Sequence, residues 1–138
     1  MLRDDQKELM IYRLEKAKKT LNTAKKLLKE IDDYKDYETI LNRTYYCIFH
    51  CMRAILSKDD FDSKKHSGII SYFNKHYINT NIFPRDSYRI IDLALDLRNN
   101  SDYLDYAYFD KEQVEEQIKN ADLFLSNTQN YIDMLFKK

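Results

Sequence analysis

The chain is 138 residues long, with 43% apolar and 33% charged residues, one glycine and one proline. That is the length of an ordinary domain, and so few turn-forming residues exclude a many-stranded β-barrel or sandwich. Its 23 basic residues balance 23 acidic ones, so no global field draws nucleic acid or a membrane, and any such site has to be local.

Leu14, Ala17, Leu21, Ala24, Leu28 and Ile31 alternate at gaps of three and four, which predicts a long amphipathic helix starting near Asp4 or Asp5. Lys18, Lys19, Lys25, Lys26 and Lys29 fall on its other faces as a mostly solvated basic side. Residues 1–30 hold nine Lys/Arg against five Asp/Glu, whereas residues 99–138 hold four against eight, so the two ends are expected to attract. The stripe breaks at Asp32-Asp33-Tyr34-Lys35-Asp36. A second helix follows over about Tyr37–Ser57, and Ile40, Leu41, Tyr45, Cys47, Ile48, Phe49, Cys51, Met52, Ala54 and Ile55 make it apolar nearly all round. Such a helix belongs at the centre of a bundle.

The stretch Lys58–Ser63 reads as a connection, with Asp62 or Ser63 placed to cap a third helix over about Lys64–Tyr77. Asn79-Thr80-Asn81 ends it. Pro84 suits the first turn of a fourth helix with Tyr88, Ile91 and Leu95 on its apolar stripe. The next step of that series is Arg98, a cation in a core register. Tyr103 to Phe109 form a polar and aromatic connection, and Asp110 with Gln113 predicts a capping box for the last helix, which runs to about Phe136. Val114, Ile118, Ala121, Leu125, Ile132 and Leu135 mark its buried stripe. The expected architecture is all-α, a mainly antiparallel bundle of four or five helices, with residues 1–138 forming one domain.

No apolar run approaches the roughly 20 residues of a membrane-crossing helix, and the start shows no apolar leader. The cytoplasm is therefore the expected compartment, with no membrane partner, and Cys47 and Cys51 are expected to be reduced core thiols. Cys47, His50 and Cys51 are close in sequence, yet no second Cys or His pair accompanies them, so no metal site is expected. One glycine excludes glycine-rich phosphate loops, and no cofactor is expected.

Arg43, Tyr46, His50 and Arg53 are spaced three, four and three, a polar stripe on an otherwise apolar helix. It is either a solvated edge of surface ion pairs or, joined to Arg98 across the bundle, part of a half-buried cationic pocket for a phosphate, a ribose or a carboxylate. His66, Ser67 and Gly68 fall in the first turn of the third helix. They either meet an anion there or only cap the helix and make room for a neighbour. His76 reads as a surface residue at that helix's other end.

Three stretches resemble signatures of small stand-alone bacterial HEPN-domain proteins (higher eukaryotes and prokaryotes nucleotide-binding). They are Arg43-Thr44-Tyr45-Tyr46-Cys47-Ile48-Phe49-His50, Lys64-Lys65-His66-Ser67-Gly68-Ile69-Ile70 with Phe73, and Leu97-Arg98-Asn99-Asn100-Ser101-Asp102-Tyr103. They occur in order over nearly the whole chain. The resemblance implies a helical bundle, a homodimer, and a site where the second and fourth helices meet. It also implies a nucleotidyltransferase partner in a toxin-antitoxin or defence module, and in several members a metal-independent ribonuclease. In those nucleases an arginine, the polar residue after it and a histidine four to six residues on form the site. Arg98 and Asn99 match the first two positions, but residues 102–105 are Asp-Tyr-Leu-Asp.

The resulting expectation is a nucleotide- or RNA-binding HEPN protein, catalytically degenerate, with Arg43, Tyr46, Asn99, Asp102 and Tyr103 as binding residues. The alternatives are an endoribonuclease toxin using Arg98 with His66 or His50, and a non-catalytic helical adaptor. Asp102, four residues after Arg98, is placed to pair with it. Tyr103, Tyr106, Tyr108 and Phe109 either stack on bases or a second subunit, or pack locally.

Overall fold

The computed structural model of the chain describes residues 1–30, 36–103 and 108–137, with all their side chains except those of Asp102 and Tyr103. Five α-helices follow one another: α1 (Asp4–Lys29), α2 (Tyr37–Leu56), α3 (His66–Phe73), α4 (Ser87–Tyr103) and α5 (Lys111–Phe136). No strand occurs among the described residues, so the expected all-α bundle is what the chain forms. A 3-10 turn at Ser57–Asp59 prolongs α2, and a π turn at Asn74–Ile78 prolongs α3.

Local chemistry sets the helix ends. Asp36 caps α2 by accepting the Thr39 N–H at 3.0 Å. The expected box at α5 is present: Asp110 accepts the Gln113 N–H at 2.8 Å while the Gln113 side chain accepts the Asp110 N–H at 3.0 Å. α1 carries Asp4 and Asp5 in its first turn and Lys26 and Lys29 in its last, each sign opposing the helix dipole.

α2 is the central element. No residue from Ile40 to Ser57 is fully exposed, and Ile40, Cys47, Ile48, Cys51, Met52, Ala54 and Ile55 are sealed from solvent. Cys47 and Cys51 are free, buried thiols. α1 runs antiparallel to α2, because Arg3 near its start bonds Asp60 and Arg13 bonds the backbone of Arg53. The same end of α1 meets the far end of α5, where Met10, Leu14 and Ile132 share a cluster with Ala54. Lys25 pairs with Asp122 at 2.8 Å, one link between the basic and acidic ends of the chain. Both partners are part-exposed, so this pair sets register more than stability. An aromatic nucleus of Phe73, Tyr77, Phe83 and Phe124 fixes α3 and the loop before α4 onto α5.

Three expectations are corrected. First, α3 begins at His66, with Lys65 rather than Asp62 or Ser63 at its cap position. Asp62 is held by two guanidiniums instead, and the Ser63 hydroxyl accepts the Lys65 N–H at 3.2 Å. Second, Pro84 lies three residues before α4, in a turn whose carbonyl accepts the Ser87 N–H at 2.9 Å, and α4 extends through Tyr103. Third, the buried stripe of α4 is Ile90, Ile91, Ala94 and Leu97, while Tyr88 and Leu95 are only half-buried. Arg98 therefore lies on the flank of the core stripe. That position lets a guanidinium touch the packed interior while keeping access to water. The break at 32–35 and the connection at 104–107 lie outside the described residues.

Candidate functional site

Arg98 crosses from α4 to the aromatic face of α2. Its guanidinium carbon lies 5.3 Å from the centre of the Tyr45 ring and 5.5 Å from that of Tyr46. Nη2 donates to the Tyr46 hydroxyl over 3.4 Å, a long bond. Both rings are within cation–π range, so adjacent phenols at positions 45 and 46 cradle one cation. Arg43 stands against the Tyr46 ring at 5.4 Å, and Asn42 accepts from its Nη2 at 2.6 Å.

His66, at the start of α3, is delivered to the same wall. Its ring stacks on Phe49 with centres 4.0 Å apart and planes 28° apart, and its Nδ1 is 2.9 Å from the Tyr45 hydroxyl. Burial, then the nearby charges of Arg98 and Arg53, hold its pKa below the ordinary imidazole value. Burial pushes the Tyr45 phenol up to about 12, although Arg98 pulls the other way. Tyr45 is thus a protonated hydroxyl, able to donate to or accept from Nδ1 and to follow the imidazole through either tautomer.

His50 lies one turn beyond Tyr46 on α2 and also touches the Phe49 ring, with centres 6.2 Å apart. Its ring is 5.9 Å from that of Tyr46, and its Nδ1 is buried without a hydrogen-bond partner among the described residues. Burial, then Lys16, Arg53, Arg43 and Arg13, push its pKa down to about 4. Those charges come from α1 and α2, whereas the His66 ring lies 5.9 and 5.8 Å from the Tyr45 and Tyr46 rings that flank Arg98. Asn99 is half-buried and makes no hydrogen bond to this cluster among the described residues. The side chains of Asp102 and Tyr103 lie outside the described residues, as does the Arg98–Asp102 pairing.

Beyond the His66–Phe49 stack, a cleft of about 490 Å³ is lined by Phe49, Arg53, Asp62, Ser63, Lys64 and His66. Gly68 has the space-making role: a methyl group there would collide with the Ser63 side chain. His76 is half-buried and packs on the Tyr72 ring with centres 4.1 Å apart, rather than standing free at the surface. Sequence alone does not mark Tyr45 and Phe49 as site residues, because their positions belong equally to the core. A buried phenol nevertheless needs a polar partner, and that signal marks Tyr45. Among the described residues, no group of three or more His, Cys, Asp or Glu is placed to hold a metal ion, and no helix is long and apolar enough to cross a membrane.

An all-helical bundle that gathers an arginine, an imidazole and two phenols between its second and fourth helices defines a domain class with a local cationic and aromatic recess. The chain belongs to the HEPN domain family, whose family profile matches residues 10–131. It is 30% identical over 119 residues to a Methanocaldococcus jannaschii protein named as a putative toxin, covering 86% of this chain and 78% of that protein. A second protein of that organism, also named as a putative toxin, is 31% identical over 128 residues, covering 91% of this chain and 90% of its own length. A Thermotoga maritima protein named UPF0332 is 26% identical over 132 residues, covering 96% and 97%. The resemblance carried by the three motifs is borne out at the level of the family.

Proposed function

We propose that this HEPN-domain chain is toxin-like and binds RNA, or a nucleotide, through phosphate held at Arg98. The observation that carries the reading is the half-buried Arg98 guanidinium, shaped by two phenols and sharing a wall with the His66 imidazole. A planar guanidinium fits phosphate oxygens in pairs, and aromatic rings beside it suit bases or ribose. The names of the two archaeal relatives support the toxin-like part of the reading. Residues 1–138 act as one domain, as a homodimer and beside a nucleotidyltransferase partner, in keeping with the family resemblance. The exposed Tyr108 ring is available for such contacts.

The position of His66 favours a second reading, a metal-independent endoribonuclease. A neutral imidazole near Arg98 would take the proton of a ribose 2′-hydroxyl as that oxygen attacks phosphorus. The bond from phosphorus to the 5′-oxygen breaks, that oxygen is protonated, and a cyclic phosphate end remains. The binding reading stands first because the family's histidine after Arg98 is replaced.

The test is RNA binding and cleavage by the purified chain without added metal. Binding that falls at least about tenfold in Arg98→Ala, with helical content unchanged, supports the assignment; unchanged affinity removes it. Cleavage with cyclic phosphate ends, lost in both Arg98→Ala and His66→Ala, makes the endoribonuclease reading the correct one.

A further inference from the structure

Arg53 projects from the last turn of α2 into the cleft on the other side of His66 from the Tyr45 hydrogen bond. Its side chain is only 27% exposed, and its Nη2 is 2.8 Å from Asp62 Oδ2. Arg13, 12% exposed, reaches the same carboxylate oxygen from α1 at 3.4 Å. Two guanidiniums at the ends of largely buried side chains therefore share one oxygen of a carboxylate that is itself 51% exposed and sits on the loop before α3.

The two cations are not equivalent. Arg13 also donates to the Ser57 hydroxyl at 2.8 Å and the Arg53 carbonyl at 3.1 Å, so it ties off the end of α2. Arg53 has Asp62 as its charged partner, with Lys64 and the His66 ring on the same cleft. Behind burial and another nearby cation, Arg53 also lowers the pKa of both His50 and His66.

We propose that Arg53 is a second phosphate-binding residue, masked in the free protein by Asp62, and that a ligand phosphate displaces the Asp62 carboxylate to reach it. The inference rests on the phosphate-binding reading of Arg98 and extends it to the neighbouring phosphate of the same strand, with His66 as the wall between the two positions. Asp62 is suited to leave: a half-exposed carboxylate regains its hydration readily, and among the described residues its other oxygen accepts just the Ser63 N–H at 2.9 Å. A phosphate brings more acceptor oxygens than a carboxylate and engages Arg53 and Lys64 together. The masking residue keeps the cleft selective for ligands that carry enough charge to compete.

The experiment compares inorganic pyrophosphate and a short single-stranded RNA on wild type, Asp62→Asn, Arg53→Ala and the double variant. Melting curves check that each is folded. Asn keeps the acceptor for the Ser63 N–H while removing the charge, so Asp62→Asn should tighten pyrophosphate binding about tenfold, and Arg53→Ala added to it should cancel the gain. A purely structural ion pair would instead give an Asp62→Asn protein that melts lower and binds pyrophosphate no better. That result, or a gain that survives loss of Arg53, overturns the inference. Pyrophosphate binding that depends on Arg53, with no RNA binding by any form, would remove RNA as the ligand of Arg98 and leave the masked anion site standing.

Discussion

Tyr45 and His66, 21 residues apart and on different helices, meet through a 2.9 Å hydrogen bond between the phenol oxygen and Nδ1. This contact fastens the short α3 to the central helix at the point where the candidate site begins. Tyr45→Phe removes one part-buried hydrogen bond and little volume. We expect a loss of about 1 kcal/mol, read as a drop of a few degrees in Tm, with unchanged helicity. A loss above about 3 kcal/mol would mean that the phenol does more than orient His66.

Arg98 is held by two ring faces and a long bond to the Tyr46 hydroxyl. Lysine matches its charge but offers neither a flat face nor paired donors. Arg98→Lys should therefore recover little of the RNA affinity lost in Arg98→Ala, remaining roughly tenfold weaker than wild type in a filter or anisotropy titration. Full recovery would reduce the site to a simple point charge.

The half-buried His50 predicts an acid-sensitive fold. Its pKa falls from near the usual 6.5 to about 4 in the folded chain, first through burial and then through Lys16, Arg53, Arg43 and Arg13. Between those values the unfolded chain binds more protons than the folded one, so stability rises with pH. The contribution is complete above about 6.5 and is lost as pH falls toward 4. His66 is shifted the same way and adds to the effect. Because His50 is only half-buried, its share is of order 1 kcal/mol. Urea midpoints at pH 7.5 and 5 should differ less in His50→Gln than in wild type; equal differences would remove His50 as the cause.

Gly68 and Ser63 form a coupled pair. In most helices Gly→Ala gains close to 1 kcal/mol. Here the added methyl meets the Ser63 side chain and displaces the hydroxyl that accepts the Lys65 N–H. Gly68→Ala should be neutral to destabilising in wild type and stabilising in a Ser63→Gly background, a sign change measurable by thermal melts. Additive effects would show that α3 shifts to absorb the methyl.

The fold is readable because it rests on apolar patterning: α1 and α5 carry stripes at helical spacing, and α2 is apolar nearly all round. Their caps at Asp36 and Asp110 depend on contacts within three residues. Errors collected where tertiary contacts override local chemistry. Asp62 is a good capping residue by type, but Arg13 and Arg53 take its carboxylate, and α3 starts later. In α4 the spacing points to a different register from the observed one, because Leu95, half-buried, lies in the same three-and-four series as Ile91. Of the site, the individual side chains Arg98, Tyr46 and His66 were identifiable, whereas the separation of His66 from His50 depends on how α3 folds back onto α2, which no local pattern encodes.

The π turn at Asn74–Ile78 carries a consequence of its own. It inserts a wider coil just after α3, rotating Tyr77 and Ile78 inward so that both are sealed in the nucleus formed with Phe73, while Tyr77 donates to Asp59 at 2.6 Å beside the end of α2. The segment bearing His66 is thereby anchored at both ends, by Tyr45 in front and by Tyr77 behind. Deleting one residue from 74–78 would restore an ordinary coil, turn Tyr77 away from Asp59 and leave the imidazole on a hinged peg.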